Sequence, residues 1–144
     1  MKIFVLNGPN LNLLGTREPD IYGNTTIEEL EKMCRVLADE LGVELEFRQT
    51  NDEGQLVEWI QEAGKEADGI VINPAAFTHY SISVRDALQA AGKPLVEVHI
   101  SNIFARELER HVSVVSDLAR GVIVGFGVRG YLYALRALKE ALEG

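Results

Sequence analysis

The sequence predicts a three-layer α/β/α fold built on a mainly parallel β-sheet. Two observations support this prediction. Short runs rich in β-branched residues alternate with longer segments of helical periodicity along the chain, which is the pattern of repeated βαβ units. Several of the short runs are nearly continuously apolar, as strands covered on both faces are.

The turn residues that flank these runs delimit the strands. The second strand alternates, with Val43, Leu45 and Phe47 opposed to charged residues, so it is expected at an edge of the sheet. The simplest arrangement is flavodoxin-like, with a five-stranded parallel sheet of order 2-1-3-4-5. The predicted strands span residues 3–6, 43–48, 69–72, 95–100 and 121–124.

Capping and stop signals delimit the helices. Thr25 with Glu28, and Asp52 with Gln55, match the capping-box pattern of helix starts. Gly42 is typical of a helix end. The predicted helices lie between these signals, from about residue 52 to 65, from about Tyr80 to 91, from about 130 onwards and, as a short piece, at 104–110.

Length and composition favour one globular domain over residues 1–144. The chain is 47% hydrophobic and 25% charged, which excludes disorder as the main state. The formal net charge is −8 and no basic cluster is present, so nucleic-acid binding is not expected. No apolar run approaches the roughly 20 residues that span a bilayer, so no membrane association is expected.

Cys34 is the single cysteine, so no intramolecular disulfide can form. Its helical spacing with Leu30, Leu37 and Leu41 predicts a buried, inert thiol. No secretory signal precedes the first strand. We therefore expect a reducing compartment and a cytoplasmic location.

Polar residues gather where the strands end. The segment from Asn7 to Gly23 is far longer than an ordinary βα connection of roughly 2 to 6 residues, and long connections of this kind often close over ligands. In parallel α/β sheets ligands bind beyond the carboxyl ends of the strands. The side chains expected there are Asn7, Asn10, Arg17, Tyr22, Asn73, His79, His99 and Ser101.

Tyr22 and His99 are the candidates for proton transfer at this edge. An unperturbed phenol has a pKa near 10, so Tyr22 as a base requires a nearby positive charge, and Arg17 on the same loop could supply it. Glu97 precedes His99 by two residues and so lies on the same side of the strand, where it would orient the imidazole. Structural roles remain open for Tyr22, His99 and His79, and Arg17 could be a solvated surface charge.

Three other kinds of site are less well supported. Histidines at 79, 99 and 111 suggest a metal, but no H-E-x-x-H motif or carboxylate cluster accompanies them, and His111 is expected to be solvated. Ser101 lacks the G-x-S-x-G setting of an acyl-transfer nucleophile. Residues 125–130 match G-x-G-x-x-G after the last strand, where tight turning explains the glycines better than a dinucleotide.

Four motifs in order resemble those of the type II 3-dehydroquinate dehydratases, and the resemblance covers essentially the entire chain. They are G-P-N-L-N-L-L-G-T-R-E-P-x-I-Y-G at 8–23, N-P-A-A-F-T-H-Y-S at 73–81, E-V-H-I-S-N at 97–102 and G-V-I-V-G-F-G-x-x-G-Y at 121–131. The resemblance implies anti elimination of water from 3-dehydroquinate through an enolate, giving 3-dehydroshikimate in the shikimate pathway. It implies no metal or organic cofactor.

The resemblance also implies residue roles. Tyr22 resembles the base, and Arg17 the lid arginine that favours its anion. His99, held by Glu97, resembles the acid that protonates the departing hydroxyl. Asn10 resembles the residue that supports the enolate oxygen, through water. The implied substrate contacts are Asn73, His79 and Arg110 at hydroxyl groups, and Ser101 with the backbone of Ile100 at the carboxylate.

Asp86 matches an acid that in this family reaches the site of a neighbouring subunit. The resemblance therefore implies a homo-oligomer, typically a dodecamer built from trimers. The chain departs from the usual pattern after His99, which bears on subunit contacts and rim polarity more than on chemistry. The departures are Phe104, Glu109, Val112 and Val114.

The alternative to an enzyme is a non-catalytic flavodoxin-like ligand-binding or regulatory module. A receiver domain needs acids after strands one and three and a lysine after strand five, where this chain has Asn7, Asn73 and Gly125. A flavin carrier would have a Ser/Thr-rich phosphate loop, and residues 8–15 contain neither. Among enzymes, the alternative is another carbon–oxygen lyase acting on a polyhydroxylated keto acid.

Overall fold

A computed structural model describes all residues, 1–144, and contains the predicted parallel sheet of order β2-β1-β3-β4-β5. Every neighbouring pair of strands is parallel. The strands are β1 (Lys2–Asn7), β2 (Glu44–Gln49), β3 (Gly69–Asn73), β4 (Leu95–His99) and β5 (Gly121–Val124). The helices are α1 (Pro19–Tyr22), α2 (Ile27–Leu41), α3 (Glu53–Glu66), α4 (Ile82–Ala91) and α5 (Arg129–Glu143).

The side chains of β1 alternate between two hydrophobic cores, one on each face of the sheet. Ile3 and Val5 pack with residues of α2 and α5, whereas Phe4 and Leu6 pack with residues of α3 and α4. All four side chains are fully buried, as the period-two geometry of a central strand requires. The predicted three-layer fold is thereby confirmed.

The start of α2 lies one residue later than predicted. Thr26, not Thr25, is the N-cap, and its hydroxyl accepts a hydrogen bond from the Glu29 amide at 3.2 Å. The sequence T-T-I-E-E satisfies the capping-box spacing in two registers, so the pattern alone could not separate them. The predicted cap of α3 is confirmed, because the Asp52 carboxylate accepts from the amides of Gly54 and Gln55.

Two predicted helical segments are shorter or less regular than expected. Helix α4 begins at Ile82, with the Ser81 hydroxyl capping the Val84 amide, and not near Tyr80. The segment 104–110 forms two separate 3₁₀ turns, Ile103–Ala105 and Leu108–Arg110. None of the helices is long and apolar enough to cross a membrane.

Four of the five strands end one residue later or earlier than predicted, each at a polar residue, and β5 ends at Val124 as predicted. Asn7 ends β1, Asn73 ends β3 and His99 ends β4. The glycine-rich segment after β5 turns the chain into α5 at positive φ, 88° at Gly125 and 65° at Gly127. This is the turning role that the sequence predicted.

Cys34 is fully buried in the core beside α5, and burial raises the pKa of its thiol to about 12. The predicted inert thiol is confirmed in this respect.

Gly8 permits a close approach of two connections at the carboxyl edge. Its amide donates to the Asn73 carbonyl at 2.8 Å, and a Cβ atom at this position would lie 2.3 Å from the Pro74 carbonyl oxygen. That distance is far inside van der Waals contact, and the atom in the way is backbone. The loop that follows β1 therefore depends on glycine at position 8.

We expect Gly8→Ala to lower the free energy of unfolding by about 1–3 kcal/mol, the usual cost of overpacking. Gly121→Ala is the matched control, since a Cβ there meets nothing within 4 Å. Urea unfolding followed by circular dichroism measures both. Equal stability of the two variants would contradict the proposed close approach.

Candidate active site

A cavity of about 160 Å³ lies at the carboxyl edge of the sheet. It brings together nearly all the predicted site residues, and only Asn7, Glu97 and Asp86 are not part of its lining. The lining consists of Pro9, Asn10, Leu11, Arg17, Tyr22, Asn73, Ala75, Ala76, His79, His99, Ile100, Ser101, Ile103, Arg106 and Arg110.

Tyr22 ends the short helix α1 and is half-buried against two guanidinium groups. Arg106 Nη1 donates to the Tyr22 hydroxyl oxygen at 2.8 Å and reaches Ser101 Oγ at 3.3 Å. The Cζ atoms of Arg17 and Arg106 lie 5.1 and 5.5 Å from the centroid of the Tyr22 ring. Because a guanidinium can only donate hydrogen bonds, the phenol oxygen is the acceptor in its contact with Arg106.

Arg106 is a site residue that the sequence reasoning missed. The charge beside Tyr22 was assigned to Arg17, whereas Arg17 lies over the ring and pairs with Glu18 at 3.4 Å. The direct partner of the hydroxyl is 84 residues away in the chain. Arg106 lies between two 3₁₀ turns where the sequence predicted one short helix, and no motif placed it opposite the loop that carries Tyr22.

Two side-chain contacts hold the segment that carries Arg106 and Arg110. His111 Nε2 donates to the Arg106 carbonyl at 2.8 Å, so the expectation that His111 is merely solvated is wrong. Arg110, which lines the cavity, is held by Glu107 at 2.7 Å. The hydrogen bond from Arg110 lowers the pKa of Glu107. Both arginines therefore face the cavity from a segment that is anchored independently of any ligand.

Glu97 lies beneath His99 and is fully buried. Its carboxylate accepts from His99 Nε2 at 2.5 Å, Thr78 Oγ1 at 2.7 Å, Ser116 Oγ at 2.5 Å and Ser113 Oγ at 3.1 Å. Burial alone would raise the pKa of Glu97, but the hydrogen bonds from His99, Ser116 and Thr78 outweigh it, and the pKa is lowered. The buried group is thus held as an anion.

The hydroxyls of Thr78, Ser113 and Ser116 were not identified from the sequence. Each is an ordinary short polar residue in a connection; Thr78 lies within the motif at 73–81, but no role was inferred for it there, and Ser113 and Ser116 lie outside the four motifs. The only available signal is the buried carboxylate itself, because an anion in a core needs several donors.

The imidazole of His99 has its two nitrogens in different surroundings. Nε2 donates to Glu97, whereas Nδ1 makes no hydrogen bond within the chain and the ring borders the cavity. The second cavity histidine, His79, donates from Nδ1 to the Val112 carbonyl at 2.8 Å. No group of three His, Cys, Asp or Glu side chains is arranged to hold a metal ion.

Asn10 lines the cavity, whereas Asp86 lies outside it. Asn10 has left-handed backbone geometry, with φ of 70°. Its backbone N–H donates to Asn51 Oδ1 at 2.9 Å, and the residue borders the cavity. Asp86 lies on the exposed face of α4 and does not line the cavity of its own chain.

The carboxylate of Glu97 should make stability depend on pH. Its pKa in the folded protein lies below the ordinary value of 4.5, so its contribution is complete above about pH 4.5 and is lost as pH falls through the lowered value. Glu97→Gln removes this titration and leaves a buried donor without an acceptor, a cost of about 1–3 kcal/mol at pH 7.

Urea unfolding at about pH 7 and about pH 3.5 tests this linkage. We expect the gap in free energy of unfolding between wild type and Glu97→Gln to narrow at the lower pH. Glu109→Gln, at an exposed site, should show no such change. A gap of the same size at both pH values would contradict a stabilised Glu97 anion.

Comparisons with known proteins agree with this fold and cavity. The sequence model for dehydroquinase class II matches residues 1–139. The chain is 55% identical over 141 residues to a 3-dehydroquinate dehydratase of Rhizobium meliloti, covering 98% of this chain and 95% of that one. It is 56% identical over 138 residues to 3-dehydroquinate dehydratase 1 of Agrobacterium fabrum, with coverage of 96% and 95%.

Solved structures agree as well. A type II dehydroquinase from Propionibacterium acnes superposes with a TM-score of 0.92 at 47% identity, covering 99% of this chain and 97% of that one. The type II dehydroquinase from Butyrivibrio crossotus gives a TM-score of 0.94 at 48% identity, with coverage of 96% and 97%. Identity of this order over nearly the full length confirms the resemblance seen in the motifs: the chain belongs to the class II dehydroquinase family.

Proposed function

We propose that this chain, as one catalytic domain over residues 1–144, removes water from 3-dehydroquinate to give 3-dehydroshikimate, the anti elimination of the shikimate pathway. The family assignment gives the reaction. The observation that supports the residue roles is that Tyr22, bonded to Arg106, and His99, bonded to Glu97, border the same cavity. A base and an acid are what the elimination requires.

Tyr22 acts as the base. It removes the proton from the carbon next to the ketone, and the negative charge on its oxygen before that step is stabilised by the Arg106 hydrogen bond. Arg17, over the ring at 5.1 Å, adds a second positive charge. Both guanidinium groups are positively charged and lie against the phenol, which is the electrostatic setting that a phenolate base requires.

His99 acts as the acid. The Glu97 carboxylate, buried and anionic, stabilises a positive charge on the imidazole through Nε2. Nδ1 is then the nitrogen that delivers a proton to the departing hydroxyl, since it has no other partner in the chain. The carboxylate fixes the ring and its tautomer, as the acidic partner of a catalytic histidine does elsewhere.

The remaining cavity residues hold the substrate and the enolate. Asn10 supports the enolate oxygen, through water. The backbone of Ile100 and the hydroxyl of Ser101 receive the carboxylate, and Arg106 lies within reach of Ser101 at 3.3 Å. The contacts proposed for the ring hydroxyls are Asn73, His79 and Arg110.

The working unit is a homo-oligomer, a dodecamer built from trimers, in the cytoplasm. Asp86 supports this proposal because it lies outside its own cavity, one helical turn from the exposed side chain of Ile82. Further large apolar side chains are exposed in the single chain, as expected for subunit contacts. They include Phe104, Leu108, Val112, Val122 and Phe126.

We expect Tyr22→Phe to lower kcat by about 10²–10⁴-fold, the usual contribution of a positioned base, and to change KM little. The ultraviolet absorbance of the conjugated enone product measures turnover. Tyr80→Phe is the matched control, since Tyr80 is exposed and outside the cavity. Turnover near that of the wild type in Tyr22→Phe would refute the assigned base.

We expect Asp86→Ala to lose activity because each chain completes the cavity of a neighbour. When Asp86→Ala and Tyr22→Phe chains are refolded together in equal amounts, about one site in four should combine both intact residues, given closed symmetric assembly. Recovery of roughly a quarter of wild-type activity is the predicted result. A mixture of Tyr22→Phe with His99→Ala, both in one chain's own cavity, should recover none. Absence of recovery in the first mixture would contradict a shared site.

A further inference from the structure

A chain of buried hydrogen bonds lies directly beneath the cavity floor and centres on Tyr131 of α5. This side chain has no exposed surface. Its hydroxyl donates to Asn7 Oδ1 at 2.7 Å and accepts from Asn73 Nδ2 at 2.8 Å. Asn7 and Asn73 are the last residues of the two central strands β1 and β3. The proposed reaction assigns no role to Tyr131 or Asn7.

The two ends of this chain determine its direction. At one end the Ala75 amide, which can only donate, bonds to Asn73 Oδ1 at 3.0 Å. At the other end the Arg48 carbonyl, which can only accept, receives Asn7 Nδ2 at 3.0 Å. Between these ends only one assignment satisfies every group: Asn73 donates to Tyr131, and Tyr131 donates to Asn7.

Asn73 is therefore held in one of its two amide orientations. An amide has two N–H donors and about two acceptor positions on oxygen. Ala75 and Tyr131 use one of each, which leaves one N–H and one oxygen lone pair at a residue that borders the cavity. Turning the amide over would place like groups against Ala75 and Tyr131 and exchange the donor and acceptor offered to a ligand.

Burial keeps Tyr131 in the protonated form that this arrangement needs. Desolvation raises the pKa of its hydroxyl well above the ordinary value of 10. The hydroxyl thus remains both a donor and an acceptor over the whole working range of pH. Its contacts come from the strand ends and not from the loop that carries Tyr22, so the floor of the cavity is set independently of that loop.

We propose that Tyr131 is a positioning residue that fixes the amide orientation of Asn73, and through it the recognition of a substrate hydroxyl group. This proposal rests on the proposed function, because it assigns Asn73 a contact with the substrate. Tyr131 touches no ligand itself. Its effect on turnover passes through Asn73 alone.

A double-mutant cycle with Tyr131→Phe and Asn73→Ala tests the proposal. The enone assay gives kcat and KM for wild type, both single variants and the double variant. We expect Tyr131→Phe to raise KM several-fold, up to about tenfold for one hydrogen bond, with a smaller change in kcat. Adding Tyr131→Phe to Asn73→Ala should then raise KM no further.

A role in packing alone gives a different result. In that case the effects of the two substitutions on KM multiply in the double variant, or Tyr131→Phe changes kcat and KM together and lowers stability. Either outcome overturns the proposal. Tyr133→Phe, a half-exposed tyrosine on the same helix, is the matched control and should leave both constants unchanged.

A measurement on the wild-type protein requires neither activity nor a variant. Neutron diffraction from a crystal exchanged into D₂O distinguishes the nitrogen and oxygen of Asn73 and locates the Tyr131 deuteron. We expect nitrogen towards Tyr131 and the deuteron towards Asn7. The opposite amide orientation would overturn the proposal even if the enzyme is active, whereas absence of enone formation by wild type would refute the proposed function and leave this assignment intact.

Discussion

The buried carboxylate of Glu97 is the interaction on which the rest of the site depends. An anion with no exposed surface is costly unless donors surround it, and here three hydroxyls and an imidazole do so. These donors come from β4, from the turn at residues 75–79 and from the segment 111–117. A single group therefore ties together the parts of the chain that carry His99, His79 and the anchor of Arg106.

The proposed base and the proposed acid are positioned by different parts of the structure. His99 ends a central strand, and its ring orientation is set by the buried carboxylate. Tyr22 stands on a short helix in a long connection, and its hydroxyl is held by Arg106 from a different connection. The base is therefore positioned across two loops, whereas the acid and the Asn73 contact belong to the rigid edge of the sheet. Closure of the loop over a ligand would move Tyr22 and leave His99 and Asn73 in place.

Sequence patterns predicted the sheet order and most of the cavity, because parallel strands end at one edge and polar residues there stand out from apolar runs. They placed the cap of α2 one residue early, since T-T-I-E-E fits two registers. They missed Arg106, Ser113 and Ser116 for a common physical reason. These residues lie in irregular connections, and only the folded backbone brings them to Tyr22 and Glu97. The role proposed for Asp86 comes from the family resemblance alone, since nothing local distinguishes this exposed helical acid from others on the surface.

The central claim is that Tyr22 removes a carbon-bound proton before His99 protonates the departing hydroxyl. Exchange of substrate hydrogen with solvent deuterium, followed by NMR of 3-dehydroquinate with the His99→Ala variant, tests it most directly. The account predicts that one hydrogen next to the ketone exchanges faster than in buffer while little enone forms, and that this exchange is lost when Tyr22→Phe is added. Absence of exchange in His99→Ala, or equal exchange without the Tyr22 hydroxyl, would contradict it.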